Sequence, residues 1–199
     1  FEKSTTNEVI IERNAIQPMA VLEAKCVATK PANNEIWYTN GSTTEATTPY
    51  QTYYFSANII SNTYDAEKEC WVITFDKEIT KIGDYAFYNR SSLTSITIPK
   101  SVTTVGDYAF EGCNSLPIID NVRYAGSYLI GTVNKSITSC TIVNGTRFIG
   151  NYAFKDCNSL TSVIIPDSVT TIGRSAFSGC SSLTSVTIPD SVTTIGDYA

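Results

Sequence analysis

One phrase occurs twice in this chain. Residues 91–109 read SSLTSITIPKSVTTVGDYA, residues 181–199 read SSLTSVTIPDSVTTIGDYA, and only three of the nineteen positions differ. A chain that repeats itself at a fixed period is typical of a solenoid, in which each repeat covers the apolar face of its neighbour. The repeat therefore constrains the fold more than any other feature of the sequence.

The period can be read from an Ala-Phe pair and from a leucine that follows it. Both columns advance in steps of 23, 44 and 23 residues, and a step of 44 is 21 plus 23, so one coil has lost its signature. A degenerate coil begins near Cys70, which gives five coils and part of a sixth. The marker residues are Ala86-Phe87, Ala109-Phe110, Ala153-Phe154 and Ala176-Phe177, followed by Leu93, Leu116, Leu160 and Leu183.

Each coil combines a short strand with a second apolar edge. Apolar residues alternate with polar ones across Ile96-Thr97-Ile98, and Pro99 ends the strand because it cannot donate to a sheet ladder. Gly106 marks a turn or bend before Ala109 and Phe110. We predict a right-handed solenoid with a parallel sheet on one face and a buried phenylalanine spine that includes Phe110 and Phe177. Its strands are expected near 93–98, 137–142, 160–165 and 183–188.

The 21-residue coil, 116–136, breaks the pattern. Two alternating aromatic and aliphatic runs flank Gly126-Ser127 in the stretch NVRYAGSYLIGTV. This arrangement predicts a hairpin that replaces the usual back half of the coil.

The full period, L-x-x-I-x-I-P-x-x-V-x-x-I-G-x-x-A-F-x-x-C, resembles the BspA-like leucine-rich repeats of bacterial cell-surface proteins. The match is carried from Leu93 to Cys113 and again from Leu160 to Cys180. The resemblance implies an α/β-type leucine-rich-repeat solenoid of about 23 residues per coil. It also implies a secreted or cell-surface location and, as in some members, adhesion to host extracellular proteins.

Residues 1–69 show no such period and divide the chain into an N-terminal segment and a solenoid, 70–199. Short aromatic and β-branched runs at 34–39, 51–55 and 57–61 predict a β-rich cap over the first coil. The aromatic residues of this segment are expected to form the core of the cap rather than a binding platform. The stretch PMAVLEAKCVA, 18–28, fits a helix start and a strand equally well.

Composition excludes several classes of function. The chain has no histidine, so Ser-His-Asp and Cys-His catalysis and histidine-bound zinc are ruled out. A net charge of −5 without a basic run argues against a nucleic-acid partner. No run is apolar enough to span a bilayer, and a signal peptide, if the protein is exported, has already been removed from this sequence. No cofactor or metal is expected.

Two columns of aspartates are candidates for weak Ca²⁺ binding or a glycosidase pair. Asp84, Asp107 and Asp197 form one column, and Asp167 and Asp190 form the other. Arg174 and Lys100 interrupt these columns, which is typical of solvated turns, so we expect no enzymatic activity.

The cysteines have structural interpretations. Cys113, Cys157 and Cys180 share one column, where Cys157 and Cys180 are near enough for a disulfide but are expected to be buried free thiols. Cys140 lies in a core column. For Cys26 and Cys70, the sequence fits a disulfide and two separate thiols equally well.

Three functions from different classes remain: a protein-binding or adhesion module, a structural spacer of a larger surface protein, and a carboxylate-based hydrolase, which ranks last. Partners of a binding module would be host extracellular proteins or glycans. We place its contact surface on the outward sheet positions and on the hairpin, and the near-uniform Ser/Thr content of that sheet favours the spacer instead. The predicted contact residues are Ser95, Thr97, Tyr124, Tyr128, Ser139, Thr141, Ser162, Ser185 and Thr187.

The last coil stops at Ala199, before the phenylalanine that follows in the earlier coils. Because an uncovered apolar edge favours aggregation, we expect further coils or a cap beyond residue 199, or end-to-end self-association.

Overall fold

A computed structural model describes residues 30–50 and 55–199. The alternatives for 18–28, the state of Cys26 and most of the strand predicted at 51–55 lie outside the described residues. The division of the chain at residue 69 stays a prediction.

The described residues form fourteen short strands and no helix. The helical part of the expected α/β-type solenoid is therefore wrong. A helix needs a run of consecutive right-handed residues. The back half of a coil instead contains left-handed residues, such as Tyr108 with φ 56° and Gly112 with φ 77°, which confine it to turns.

The strands follow one another along the chain with short connections. In the first half they are β1 (Glu35–Thr39), β2 (Ile59–Asp65), β3 (Cys70–Phe75), β4 (Lys81–Ile82), β5 (Ser95–Thr97), β6 (Thr104–Val105) and β7 (Ile118–Ile119). In the second half they are β8 (Val122–Ala125), β9 (Tyr128–Thr132), β10 (Ser139–Thr141), β11 (Phe148–Ile149), β12 (Ser162–Ile164), β13 (Thr171–Ile172) and β14 (Thr194–Ile195).

The first coils do not stack strand on strand as the repeat predicts. Strand β1 lies between β3 and β5 and pairs antiparallel with both, in a sheet of order β2-β3-β1-β5. Ile36 and Tyr38 of β1 are buried, and Tyr38 stands opposite Trp71 and Ile96. The prediction of a continuous parallel sheet from Cys70 onward is therefore wrong, because β1, a strand from the N-terminal segment, separates β3 from β5.

Parallel pairing of the front strands occurs later in the array. Strands β10 and β12 pair in parallel with Ser139 opposite Ser162, which confirms the register of one repeat step. The strand predicted at 183–188 is absent from the structure. Its inward residues, Leu183 and Val186, are only partly buried, so they lack the packing that holds Leu160 and Val163 in place.

A second parallel ladder runs along the back of the coils, where the sequence indicates only a turn. It joins β4 to β6, and joins β9, β11, β13 and β14 in succession. The Gly106 N–H donates to the Ile82 carbonyl at 2.8 Å, and Gly173 donates to Ile149 at the same distance. A Cβ on Gly106 would lie 2.5 Å from the Asp84 nitrogen, so the closeness of the coils requires glycine there.

The phenylalanine spine is present in two parts. Phe87 stacks on Phe110 with ring centroids 5.4 Å apart, and Phe154 stacks on Phe177 at 5.3 Å. Between the two pairs lies the predicted hairpin, which β8 and β9 form as antiparallel strands. Tyr128 of this hairpin contacts Phe110 and replaces the missing phenylalanine ring of the spine. The core accordingly consists of two main clusters, one on each side of the hairpin coil.

We expect Phe110→Ala to lower the free energy of unfolding by about 3–5 kcal/mol, because its buried ring packs between two others. Phe177 is only partly buried, contrary to the sequence prediction, because in the described residues only Phe154 stacks on it. Phe177→Ala should therefore cost clearly less in the same denaturant titration. Equal losses for the two variants would contradict the packing.

Candidate functional site

The exposed front of the array is the first candidate site, and we call it the sheet face. It consists of the outward residues of the coils from 116 to 188. Ser139, Thr141, Ser162, Ser185 and Thr187 are exposed there, as predicted. By their position in the repeat, the exposed residues assigned to the sheet face are Ile118, Asp120, Ser139, Thr141, Ser162, Ile164, Ser185 and Thr187. Ile118 lies on β7, which pairs with β8 and not with β10.

Two predicted contact residues of the first regular coil lie outside this exposed surface. Ser95 is buried, and its hydroxyl makes a hydrogen bond with that of Thr39 on β1. Thr97 is partly buried and stands opposite Trp37. The cause is the insertion of β1, which covers the edge of β5 that would otherwise pair with β3 of the preceding coil.

The two tyrosines predicted as contact residues are interior. Tyr124 is 0% exposed and Tyr128 is 7% exposed, and burial raises the pKa of both phenols. The hairpin uses these rings to fill the core, since its coil lacks the Ala-Phe pair. The prediction that Tyr124 and Tyr128 are exposed contact residues is therefore wrong.

Sequence reasoning missed two apolar members of the sheet face. Ile164 is 62% exposed and Ile118 is 49% exposed, on strands whose other outward residues are polar. Ile164 could have been recognised from the sequence, because it takes the place of a threonine in the outward column. Ile118 and Asp120 were harder to recognise, because the repeat is least regular in the 116–136 coil.

The first aspartate column works as a backbone cap rather than as a catalytic pair. The Asp84 carboxylate accepts a hydrogen bond from the Asp107 N–H at 3.0 Å. Asn151, in the same column, donates its amide to Asp107 and accepts from the Arg174 N–H. These contacts tie one coil to another across the turns.

The second column agrees with the solvated interpretation. Asp167, Asp190 and Lys100 are all exposed. Across residues 30–50 and 55–199, no three histidine, cysteine, aspartate or glutamate side chains cluster in a way that would hold a metal ion. In the same ranges no helix is long and apolar enough to cross a membrane.

The cysteine column links successive coils through its thiols. Cys113, Cys140, Cys157 and Cys180 are free thiols, and the first three are buried as expected, whereas Cys180 is only partly buried. The Cys113 thiol donates to the Phe87 carbonyl at 3.0 Å, and Cys180 donates to Phe154 at 3.1 Å. Burial raises the pKa of Cys113 and Cys140 to about 12, so these thiols are protonated and unreactive at neutral pH.

The aromatic residues near the N-terminal segment are mostly buried. Trp37, Tyr38, Phe55 and Trp71 are each at most 7% exposed. Tyr38 stacks on Trp71, and the Trp37 indole donates to Glu35 at 2.8 Å. Among the described aromatic residues of this segment, Tyr50 is 52% exposed and Tyr64 is partly buried.

The family is shown by the repeat itself. The BspA type leucine rich repeat region matches residues 57–129 and 131–199, in six copies. The chain therefore belongs to the BspA-type leucine-rich-repeat family.

Two solved structures are similar to this chain. A leucine rich cell surface protein from Faecalibacterium prausnitzii A2-165 is 33% identical, with a TM-score of 0.31 over 59% of this chain and 32% of that one. A leucine-rich repeat protein from Bacteroides ovatus ATCC 8483 is 27% identical, with a TM-score of 0.34 over 86% of this chain and 50% of that one. The chain thus spans a half or less of these proteins. No curated protein is similar to it in sequence.

Alkaline pH should destabilise the protein through its buried thiols. The pKa of Cys113 rises from 9.0 to about 12 in the folded state, so the contribution is complete below about pH 9 and is lost as the pH rises toward 12. We expect the free energy of unfolding, measured by urea titration from pH 7 to 11, to fall less steeply in Cys113→Ala. An unchanged slope would contradict the assignment.

Proposed function

We propose that this chain is a secreted or cell-surface protein that binds other proteins through the sheet face. Its membership of the BspA-type family supports the location. Partners would be host extracellular proteins, with glycans as the second class. The observation that carries the proposal is the exposure of Ile118 and Ile164 among hydroxyl side chains.

Two large aliphatic side chains in solvent contribute nothing to the stability of an isolated array. Their burial against a partner removes apolar area from water, at about 25 cal/mol per Å². The surrounding Ser and Thr hydroxyls can form the polar rim that specific interfaces carry around an apolar centre. Asp120 adds a negative charge at one border of this surface.

A spacer without its own ligand is the second candidate, and the uniform Ser and Thr residues of the outward columns favour it. The spacer hypothesis does not explain why isoleucine replaces Ser or Thr at positions 118 and 164. A carboxylate-based hydrolase is the weakest candidate because Asp84 accepts a backbone N–H of the neighbouring coil and Asp107 accepts the side-chain amide of Asn151. We therefore propose that the protein is not an enzyme.

The test is a binding screen against immobilised extracellular-matrix proteins, followed by substitution in the sheet face. Ile164→Asp should weaken binding to any hit at least about tenfold, because a charge would enter the apolar centre of the interface. Ile60→Asp is the matched control, since Ile60 is 66% exposed on β2, away from the sheet face.

Equal affinity of Ile164→Asp and Ile60→Asp would place the contact elsewhere. Absence of any hit in the screen would favour the spacer.

A further inference from the structure

A cleft opens beside the hairpin coil, and none of the sheet-face residues lines it. Its volume is about 360 Å³, and its walls are the turn at 108–114 and the start of the next turn at 151–153. Strand β9 forms its floor. The cleft exists because β9 runs straight from Leu129 to Thr132, whose N–H donates to the Ala153 carbonyl, and so makes no turn of its own.

One wall of this cleft carries backbone donors without acceptors. In the coil before it, the N–H groups of Tyr85, Phe87 and Asn89 donate to the carbonyls of Asp107, Ala109 and Glu111, at 2.7–2.9 Å. The equivalent groups of the next turn belong to Tyr108, Phe110 and Gly112. In the described part of the chain none of these three has a backbone acceptor.

The pattern recurs farther along the array, which shows that pairing is the rule. Tyr152, Phe154 and Asp156 donate in the same way to Arg174, Ala176 and Ser178. Inside the array, the accepting turn is missing at the hairpin coil. The three N–H groups lie in a cleft and have no protein acceptor, so this wall favours a ligand that supplies carbonyl oxygens.

Two tyrosines border the same space. One face of Tyr108 is stacked on Tyr85 at 5.2 Å. The Lys155 ammonium and the Arg174 guanidinium lie 5.5 Å and 6.0 Å from the Tyr152 ring centroid. Both tyrosines line the cleft, two repeat steps apart. Two steps amount to about 10 Å, which is the room that one further flat ring needs.

We infer that the cleft binds a polypeptide segment that follows the path of the missing turn. Its backbone carbonyls accept hydrogen bonds from Tyr108, Phe110 and Gly112. Its aromatic side chain enters between Tyr108 and Tyr152. This site is separate from the sheet face and stands on different residues, so either can fail without the other.

A peptide fits this wall better than a saccharide does. The three donors are spaced two residues apart along the chain, and carbonyls spaced in the same way accept their equivalents in the regular coils. A peptide carries carbonyl oxygens at that repeat and can add a ring at the tyrosine position. A sugar has hydroxyls without a fixed two-residue repeat, and it would leave part of the wall unpaired.

The test uses a fluorescently labelled nine-residue peptide, IGDYAFYNR, which copies residues 82–90, a turn of the kind that the hairpin coil lacks. Fluorescence anisotropy with the whole chain should show saturable binding, and a scrambled peptide should bind at least about tenfold more weakly. Tyr108→Ala and Tyr152→Ala should each weaken binding to a similar extent.

Tyr198→Ala is the matched control, because Tyr198 occupies the same position of its turn with a φ of 59° but lies outside the cleft. The Tyr198→Ala variant should bind the peptide with the same affinity as the unchanged protein. Val133→Trp offers a second test that spares the core: Val133 lines the cleft, is 49% exposed, and its replacement should block the space. Thermal unfolding confirms that each variant is folded.

Three results would overturn the inference. The first is no binding of the peptide up to millimolar concentration. The second is equal binding by the folded Tyr108→Ala, Tyr152→Ala, Val133→Trp and Tyr198→Ala variants. The third is binding of a neutral hexasaccharide, lost in the same cleft variants, by a protein that does not bind the peptide.

Discussion

The structure depends on a close backbone contact that recurs at nearly every coil. A glycine N–H donates to the carbonyl of the residue just before the equivalent glycine of the preceding coil, at 2.8 Å, for Gly106, Gly173 and Gly196. Gly150 donates to Leu129 at the same distance, although Ile130 stands in place of the glycine in the hairpin coil. This contact sets the spacing at which the phenylalanine rings stack and at which the cysteine thiols reach the phenylalanine carbonyls. Because the spacing is constant, equivalent side chains of neighbouring coils contact one another or the neighbouring backbone. A coil that departs from the repeat therefore changes the structure only locally.

The hairpin coil is the largest departure and has two consequences. Inside, Tyr124 and Tyr128 fill the space left by the missing Ala-Phe pair and divide the core into two clusters. Outside, the absent turn leaves a cleft beside Tyr108. The ladder of the back strands is interrupted at this coil, since β6 pairs with β4 and not with β9. It resumes at β9, which pairs in parallel with β11, so the later coils return to the regular stacking.

The sequence predicted the period, the hairpin and the pairing of β10 with β12, because each rests on residues near one another in a repeat. It did not predict that β1 enters between β3 and β5, since alternation of side chains shows which face of a strand is buried and not which strand lies beside it. Ser139 and Thr187 are exposed, as the alternation of the strands predicts, and their role as contact residues stays a prediction. Tyr128 is buried, because an aromatic ring in an irregular coil suits the core as well as the surface. The donors of the cleft carry no side-chain signal, so only a comparison of successive coils reveals them.

Backbone amide hydrogen exchange measured by NMR tests this account most directly. If the back ladder holds the coils together, the amides of Gly106, Gly150 and Gly173 should be among the slowest to exchange, since each is hydrogen-bonded between coils. The amides of 185–187, which form no strand, should exchange much faster than those of Gly150 and Gly173. Strong protection at 185–187 together with rapid exchange at Gly150 and Gly173 would show that the front strands, and not the back ladder, hold the array together.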